Sequence, residues 1–188
     1  MDFRRLFDLL HYQLSRYPQK NCLAHKSNHK WARFSTKESL HEQQQLAAGL
    51  LNLGLKKGDT CALIAPSGSA DWIFLDLAMQ QVGIVVVPIH ATATANDTIY
   101  ILKDAQVKYA FVKDRSLHQK IAALQPETPG LKGIYTLQQE TDLPWYQSLK
   151  VQPDSDHLAQ FQTFKAAIHE DDPATIIYTS GTTGQPKG

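Results

Sequence analysis

The chain has 188 residues, enough for one ordinary domain or for part of a larger one. Apolar residues make up 43% and charged residues 20%, a mixture that builds a buried core and excludes a disordered tail. The formal net charge is +1; with no basic block apparent, a nucleic-acid partner or an anionic surface has no electrostatic support at the level of the whole chain. The two cysteines, Cys22 and Cys61, are far apart and form no C-x-x-C pair. That argues against a disulfide framework or a structural zinc site, makes each a small buried hydrophobe, and fits a reducing, cytoplasmic setting. The start, Met1-Asp2-Phe3-Arg4-Arg5-Leu6, has no long apolar run and does not read as a signal peptide. No stretch reaches the ~18 apolar residues of a membrane span; peripheral contact with a membrane stays open.

Phe3, Leu6, Phe7, Leu10, Leu14 and Tyr17 follow helical spacing until Pro18. Cys22 to His25 and Trp31 to Ser35 flank a polar turn at Ser27, Asn28 and His29, which predicts a hairpin. Ser35 with Glu38 is a capping-box pattern; it opens a helix carrying Leu40, Ala47, Leu50 and Leu51, closed by Gly54. Thr60 to Ala65 is apolar on both faces and reads as a central strand. Ser69 caps a helix running through Trp72, Leu75 and Met79 to Gly83, and Ile84 to Val87 forms a second buried strand. A helix near Asn96 to Asp104 precedes a strand at Tyr109 to Val112. Next come a helix near Arg115 to Leu124 and a strand near Gly133 to Leu137. Gln138 to Asp156 has the weakest pattern and reads as loop, within a polar stretch extending to Gln160. Ala174 to Thr179 is the last predicted strand. Strands alternating with crossover-length helices predict an α/β fold, with a mostly parallel sheet and helices on both faces.

The residues Ile176-Ile177-Tyr178-Thr179-Ser180-Gly181-Thr182-Thr183-Gly184-Gln185-Pro186-Lys187-Gly188 carry the chemistry. An apolar strand runs into a loop of hydroxyls and glycines that ends on a lysine. Gly181, Gly184 and Gly188 let backbone turn sharply and approach an anion. Thr179, Ser180, Thr182 and Thr183 supply hydroxyl donors, and Lys187 adds a full positive charge. A plain flexible loop is the bland alternative, but this concentration of donors directly after a strand points to a polyphosphate. A Walker A loop is excluded: Pro186 precedes the lysine, removing an N–H donor, and Gly188 follows it, where magnesium would need a hydroxyl.

The run Tyr178 to Gly188 resembles the signature of AMP-forming adenylating enzymes, a superfamily of acyl-CoA synthetases, peptide-synthetase adenylation domains and luciferases. The likeness extends upstream through Phe34 to Glu38, Leu53 to Asp59, Asp71-Trp72 with Asp76 to Ala78, Gly83, Val85 to Pro88, and Tyr100 to Ala105. The whole string is most similar to bacterial long-chain fatty acyl-CoA synthetases. One segment departs: after Pro88 the family usually has an aromatic residue, a proline and a threonine, whereas this chain has Ile89-His90-Ala91-Thr92. That difference reads as loop repacking, and His90 as a structural histidine. Asp71 reads as an acid in a helix's first turn, and Trp72 as packing. The remaining histidines (His11, His25, His29, His41, His118, His157 and His169) have no metal-ligand spacing.

The resemblance implies that residues 1–188 are the N-terminal part of an AMP-binding (adenylation) domain, truncated at its phosphate-binding loop. It implies a fatty acid, ATP and coenzyme A as substrates, and Mg2+ held by a residue outside this chain. The nucleotide-binding residues would be Thr179, Ser180, Gly181, Thr182, Thr183, Gly184 and Lys187, gripping the β- and γ-phosphates, with no catalytic residue here. The adenine pocket, ribose aspartate, magnesium glutamate and mobile C-terminal lysine of the family have no counterpart, so the partner expected is the missing C-terminal portion, and the chain alone is expected to be inactive with a fraying end at Gly188. An amino-acid or other acid adenylation domain is the alternative within the class. A non-catalytic, partner-binding remnant of the fold is the alternative outside it.

Overall fold

The computed structural model describes residues 4–27, 30–65, 68–180 and 185–188. The chain forms two compact units, one of Met1–Lys56, Ser67–Gly83 and Leu149–Asp172, the other of Lys57–Pro66, Ile84–Ser148 and Pro173–Gly188.

The first unit opens with a 3-10 turn at Leu6–Asp8 and helix α1 (Leu9–Arg16), which ends two residues before Pro18. Strands β1 (Leu23–Ser27) and β2 (Lys30–Phe34) form the expected antiparallel hairpin. Its predicted turn residues Asn28 and His29 lie outside the described residues. Helix α2 (Thr36–Asn52) begins on the capping box read from sequence. Ser35 Oγ accepts from the Glu38 N–H at 3.2 Å, and the Glu38 carboxylate accepts from the Ser35 N–H at 2.7 Å. That backbone hydrogen bond holds the Glu38 carboxyl below its ordinary pKa. Helix α3 (Ala70–Gln81) starts with Ser69 Oγ accepting from the Trp72 N–H at 3.2 Å. Past the two helix ends, Gly54 and Gly83 take φ of +75° and +73°, backbone that a side chain would strain. Between α2 and α3 the buried Gln43 donates from Nε2 to Gln81 Oε1 at 2.7 Å, and Phe34 meets Phe74 edge-on at 5.0 Å.

The loop expected at Gln138 to Asp156 needs correction at its end. A 3-10 turn occupies Tyr146–Leu149, and helix α6 (Ser155–Ala167) follows, capped by Asp154, which accepts from the His157 N–H at 2.9 Å. Its apolar residues do not line one face: Phe161 is buried while Leu158 is 50% exposed. A helix without an apolar stripe gives no periodic signal.

The second unit is the α/β layer. Strands β3 (Thr60–Ile64), β4 (Val85–Pro88), β5 (Tyr109–Val112) and β6 (Gly133–Thr136) form a parallel sheet in the order β4-β3-β5-β6. Helix α4 (Ala95–Asp104) links β4 to β5, and α5 (Arg115–Ala122) links β5 to β6. Ala62, Ile64, Val87, Ala110 and Ile134 join Ile101, Leu102 and Ile121 of the helices in one apolar cluster. Cys61, Leu63, Val86 and Phe111 alternate with them and are equally buried. Both faces of the central strands therefore need apolar residues, which is why they read as unbroken apolar runs.

The last predicted strand also needs correction. Ala174 to Thr179 touches the sheet only at its edge. The Val86 N–H donates to the Ala174 carbonyl at 3.0 Å, and the Val86 carbonyl accepts from the Ile176 N–H at 2.9 Å. Paired on one side alone, the segment alternates in burial, and Ile177 is 66% exposed. The chain then forms β7 (Thr179–Ser180), antiparallel to β8 (Pro186–Lys187).

Candidate functional site

Ile176 runs parallel to β4, so the residues after it emerge at the carboxyl end of the sheet, where open α/β sheets bind ligands. Thr179 and Ser180 line a cavity of about 450 Å³ there, with Ile89 and His90 beyond β4 and Asp97 and Ile101 on α4. In the β7–β8 ladder Thr179 stands opposite Lys187, and Ser180 opposite Pro186. The structure thus brings three predicted phosphate-binding residues together: Thr179, Ser180 and Lys187. All three are exposed, and among the described residues the Lys187 ammonium makes no ion pair. Gly181, Thr182, Thr183 and Gly184 lie outside the described residues. Hydroxyl donors beside a lysine ammonium are groups that suit an anionic oxygen ligand.

The base of this loop is fastened by residues that sequence reasoning did not single out. The Tyr178 hydroxyl donates to the Asp104 carboxylate at 2.5 Å. Burial, and then this bond to a negative acceptor, push the phenol above its ordinary pKa. Tyr100, one helical turn before Asp104, meets the Tyr178 ring edge-on at 6.5 Å and 85°. Gly188 lies so close under this ring that a Cβ there would come 2.7 Å from Tyr178 Cζ and 2.8 Å from Ile176 Cγ2. The glycine read as clearance for an anion is therefore needed for packing against Tyr178. Next to it, Lys187 pairs with Thr179 in the ladder, and Gly188 lies against the Tyr178 ring. Asp104 and Tyr178 are 74 positions apart, a pairing that no local pattern announces.

The residues read as structural have structural partners. His90 Nδ1 accepts from the Thr92 N–H at 3.3 Å and lies 2.6 Å from Thr92 Oγ1, ordering the turn after β4 in the segment that departs from the family pattern. Asp71 occupies the first turn of α3. His25 caps that helix, its Nδ1 accepting from the Ala70 N–H at 3.1 Å with the Asp71 carboxylate 3.9 Å away. His157 lies 2.6 Å from Asp154 and 3.2 Å from Asn52 Oδ1. Among the described residues no group of three or more His, Cys, Asp or Glu is placed to hold a metal, and no helix is long and apolar enough to cross a membrane.

Comparison with known proteins agrees with this geometry. The AMP-binding enzyme family model matches residues 10–188. The chain is 31% identical over 162 residues to the long-chain-fatty-acid–CoA ligase FadD15 of Mycobacterium bovis, a match covering 84% of this chain and 26% of that one. It is 29% identical over 192 residues to the mitochondrial medium-chain acyl-CoA ligase ACSF2 of Macaca fascicularis, covering 92% of this chain and 31% of the relative. The crystal structure of the anthranilate CoA ligase AuaEII in complex with anthranoyl-AMP shares the fold, with a TM-score of 0.75 at 19% identity over 97% of this chain and 33% of that one. The chain therefore spans about a quarter to a third of the length of these relatives. A family model that accounts for all but the first nine residues, on an α/β fold with the hydroxyl-rich loop at the carboxyl end of its sheet, shows that the chain belongs to the AMP-binding enzyme family.

Proposed function

We propose that this chain contributes the pyrophosphate side of an AMP-forming acid–thiol ligase whose substrate is a medium- or long-chain fatty acid. In this reading residues 1–188 are the N-terminal part of an adenylation domain, acting in the cytoplasm with ATP, Mg2+ and coenzyme A. What supports it is that Thr179 and Ser180 line the cavity beyond β4 while Lys187 stands opposite Thr179 in the β7–β8 ladder.

In the first half-reaction a carboxylate oxygen attacks the α-phosphorus of ATP. An acyl oxygen–phosphorus bond forms, the α–β bridging bond breaks, and pyrophosphate leaves with the bond's electron pair. Thr179, Ser180 and Lys187 act on the leaving portion, where negative charge grows; preorganised donors aimed at that charge lower the barrier. Mg2+, when bound, would share that charge, and this chain offers it no cluster of ligands among the described residues. In the second half-reaction the coenzyme A sulfur attacks the acyl carbonyl and AMP departs, leaving a thioester. Positioning the acid and the α-phosphate supplies much of the rate in such steps, and no described residue of this chain is assigned to it. The chain alone is therefore inactive.

Two assays test the reading. Pyrophosphate exchange by the protein that carries this chain, run with a panel of acids, should respond to fatty acids; response to amino acids alone would overturn the substrate class in favour of an amino-acid adenylation domain. Single-turnover incubation of the 188-residue chain with labelled ATP, Mg2+ and palmitate should give no acyl-AMP above a Lys187→Ala control. Acyl-AMP above that control would show a complete site within these residues.

A further inference from the structure

The near-neutral charge of the whole chain conceals a local excess. Residues 9–37 contain Arg16, Lys20, Lys26, Lys30, Arg33 and Lys37 and not one Asp or Glu, in a chain of net charge +1. Part of this excess is displayed by the β1–β2 hairpin. Its register pairs Lys26 with Trp31 and Ala24 with Arg33, so these four residues share one face. The other face carries Leu23, His25 and Phe34, which turn toward the first unit: Phe34 packs on Phe74 and His25 caps α3. Among the described residues the outward face has no such cover. Lys26 and Arg33 are exposed, and Trp31 is 57% exposed. The Arg33 guanidinium lies 5.8 Å from the Trp31 ring centroid, which holds the cation beside the indole.

An exposed tryptophan between two cations, on a two-stranded hairpin, matches one environment in both its parts. At the headgroup level of a bilayer an indole finds apolar contact on one side and water on the other, while Lys and Arg find phosphates in the same plane. A basic segment near an anionic leaflet gains roughly fivefold in partitioning for each cation. We propose that the outer face of the β1–β2 hairpin docks on an anionic phospholipid surface, with Trp31 at headgroup depth and Lys26 and Arg33 on lipid phosphates. The docking is peripheral, since no helix among the described residues can cross the bilayer. It rests on the hairpin alone and does not depend on the chemistry assigned to the loop.

The test is sedimentation of the 188-residue chain with vesicles of equimolar phosphatidylglycerol and phosphatidylcholine, against vesicles of pure phosphatidylcholine, at low and high salt. Binding should require phosphatidylglycerol and weaken with salt. Lys26→Gln with Arg33→Gln should lower the partition coefficient by roughly 25-fold, and Trp31→Ala by at least about tenfold. Both variants alter exposed side chains, and an unchanged circular dichroism spectrum will separate lost docking from lost fold. Quenching by lipid carrying a headgroup-proximal spin label should be seen in wild type and reduced in Trp31→Phe. Equal binding to neutral vesicles, variants that bind like wild type, or binding to a DNA oligonucleotide in place of vesicles would each overturn the proposal.

Discussion

Tyr178→Phe removes one oxygen and leaves the ring, so the edge contact with Tyr100 and the packing over Gly188 persist. What is lost is the 2.5 Å hydrogen bond to Asp104. A bond to a charged acceptor contributes about 1.5–3 kcal/mol when shielded from water. Asp104 is exposed, so solvent competes and the value falls to about 1 kcal/mol, or about fivefold in an equilibrium constant. The loss should be felt locally, because the β4-β3-β5-β6 sheet does not use this bond. Native-state hydrogen exchange should show the amides of Thr179, Ser180, Gln185, Lys187 and Gly188 exchanging about fivefold faster in the variant, with β3 and β5 unchanged. The pH sign follows from the raised phenol pKa. Folding favours the protonated phenol, so its contribution is complete below about pH 10, the ordinary tyrosine value, and is lost as pH climbs through the raised one. At alkaline pH, protection in the wild type should therefore fall toward that of the variant. Equal protection in the two proteins at neutral pH would refute the claim that Tyr178 fastens the loop, and a loss spreading into β3 would refute its local character.

Three further outcomes follow from the same geometry. Gly49→Ala gains about 1 kcal/mol of helix propensity, but its Cβ would stand 1.9 Å from the Leu149 carbonyl oxygen, and moving that backbone costs about 1–3 kcal/mol or more; urea denaturation should show a net loss, and a gain would refute the contact. Asp76 has its carboxyl pushed above the ordinary range by burial, against the bond from Gln80; its protonated form contributes stability that is complete below about pH 4 and is lost as pH rises through the raised value, so Asp76→Asn should raise the urea midpoint at pH 7 and not at pH 3. Cys61 is buried, which pushes its thiol up to about 12; it should resist iodoacetamide at pH 8 until the chain is denatured, and native labelling at this position would contradict its burial.

Much of the fold was legible because its signals are local. Ser35 and Glu38 sit three residues apart and cap α2 as their spacing predicts. The runs at Thr60, Val85 and Tyr109 are apolar on both faces because both faces are buried. The misses share the opposite property. Helix α6 lacks an apolar stripe, so only the cap at Asp154 marks its start. The segment at Ala174 is apolar enough for a central strand, yet it pairs with β4 on one side alone, and sequence does not say which strand lies at an edge. In the candidate site the motif singled out the residues proposed here to carry the phosphate chemistry. The fastening of that motif by Asp104 and Tyr100 was hidden, because α4 comes before it by more than 70 residues and no periodicity links them.

That fastening bears on how a loop at a sheet edge could serve as a phosphate clamp. Ordering backbone costs about 1–2 kcal/mol per residue, and a ligand that had to order the whole motif would lose most of its affinity to that cost. Here the fold orders both flanks first. The ladder of β7 and β8 sets Thr179 against Lys187, and Gly188 rests against a ring that Asp104 holds in place. If the motif grips phosphate as proposed, part of the ordering cost at its flanks is already met by this packing. On the proposed reading, weak binding by the chain alone would come from missing contacts to the rest of the nucleotide. Gly188 fits the same packing: a Cβ there would come within 3 Å of the Tyr178 and Ile176 side chains, which would have to shift to make room for it.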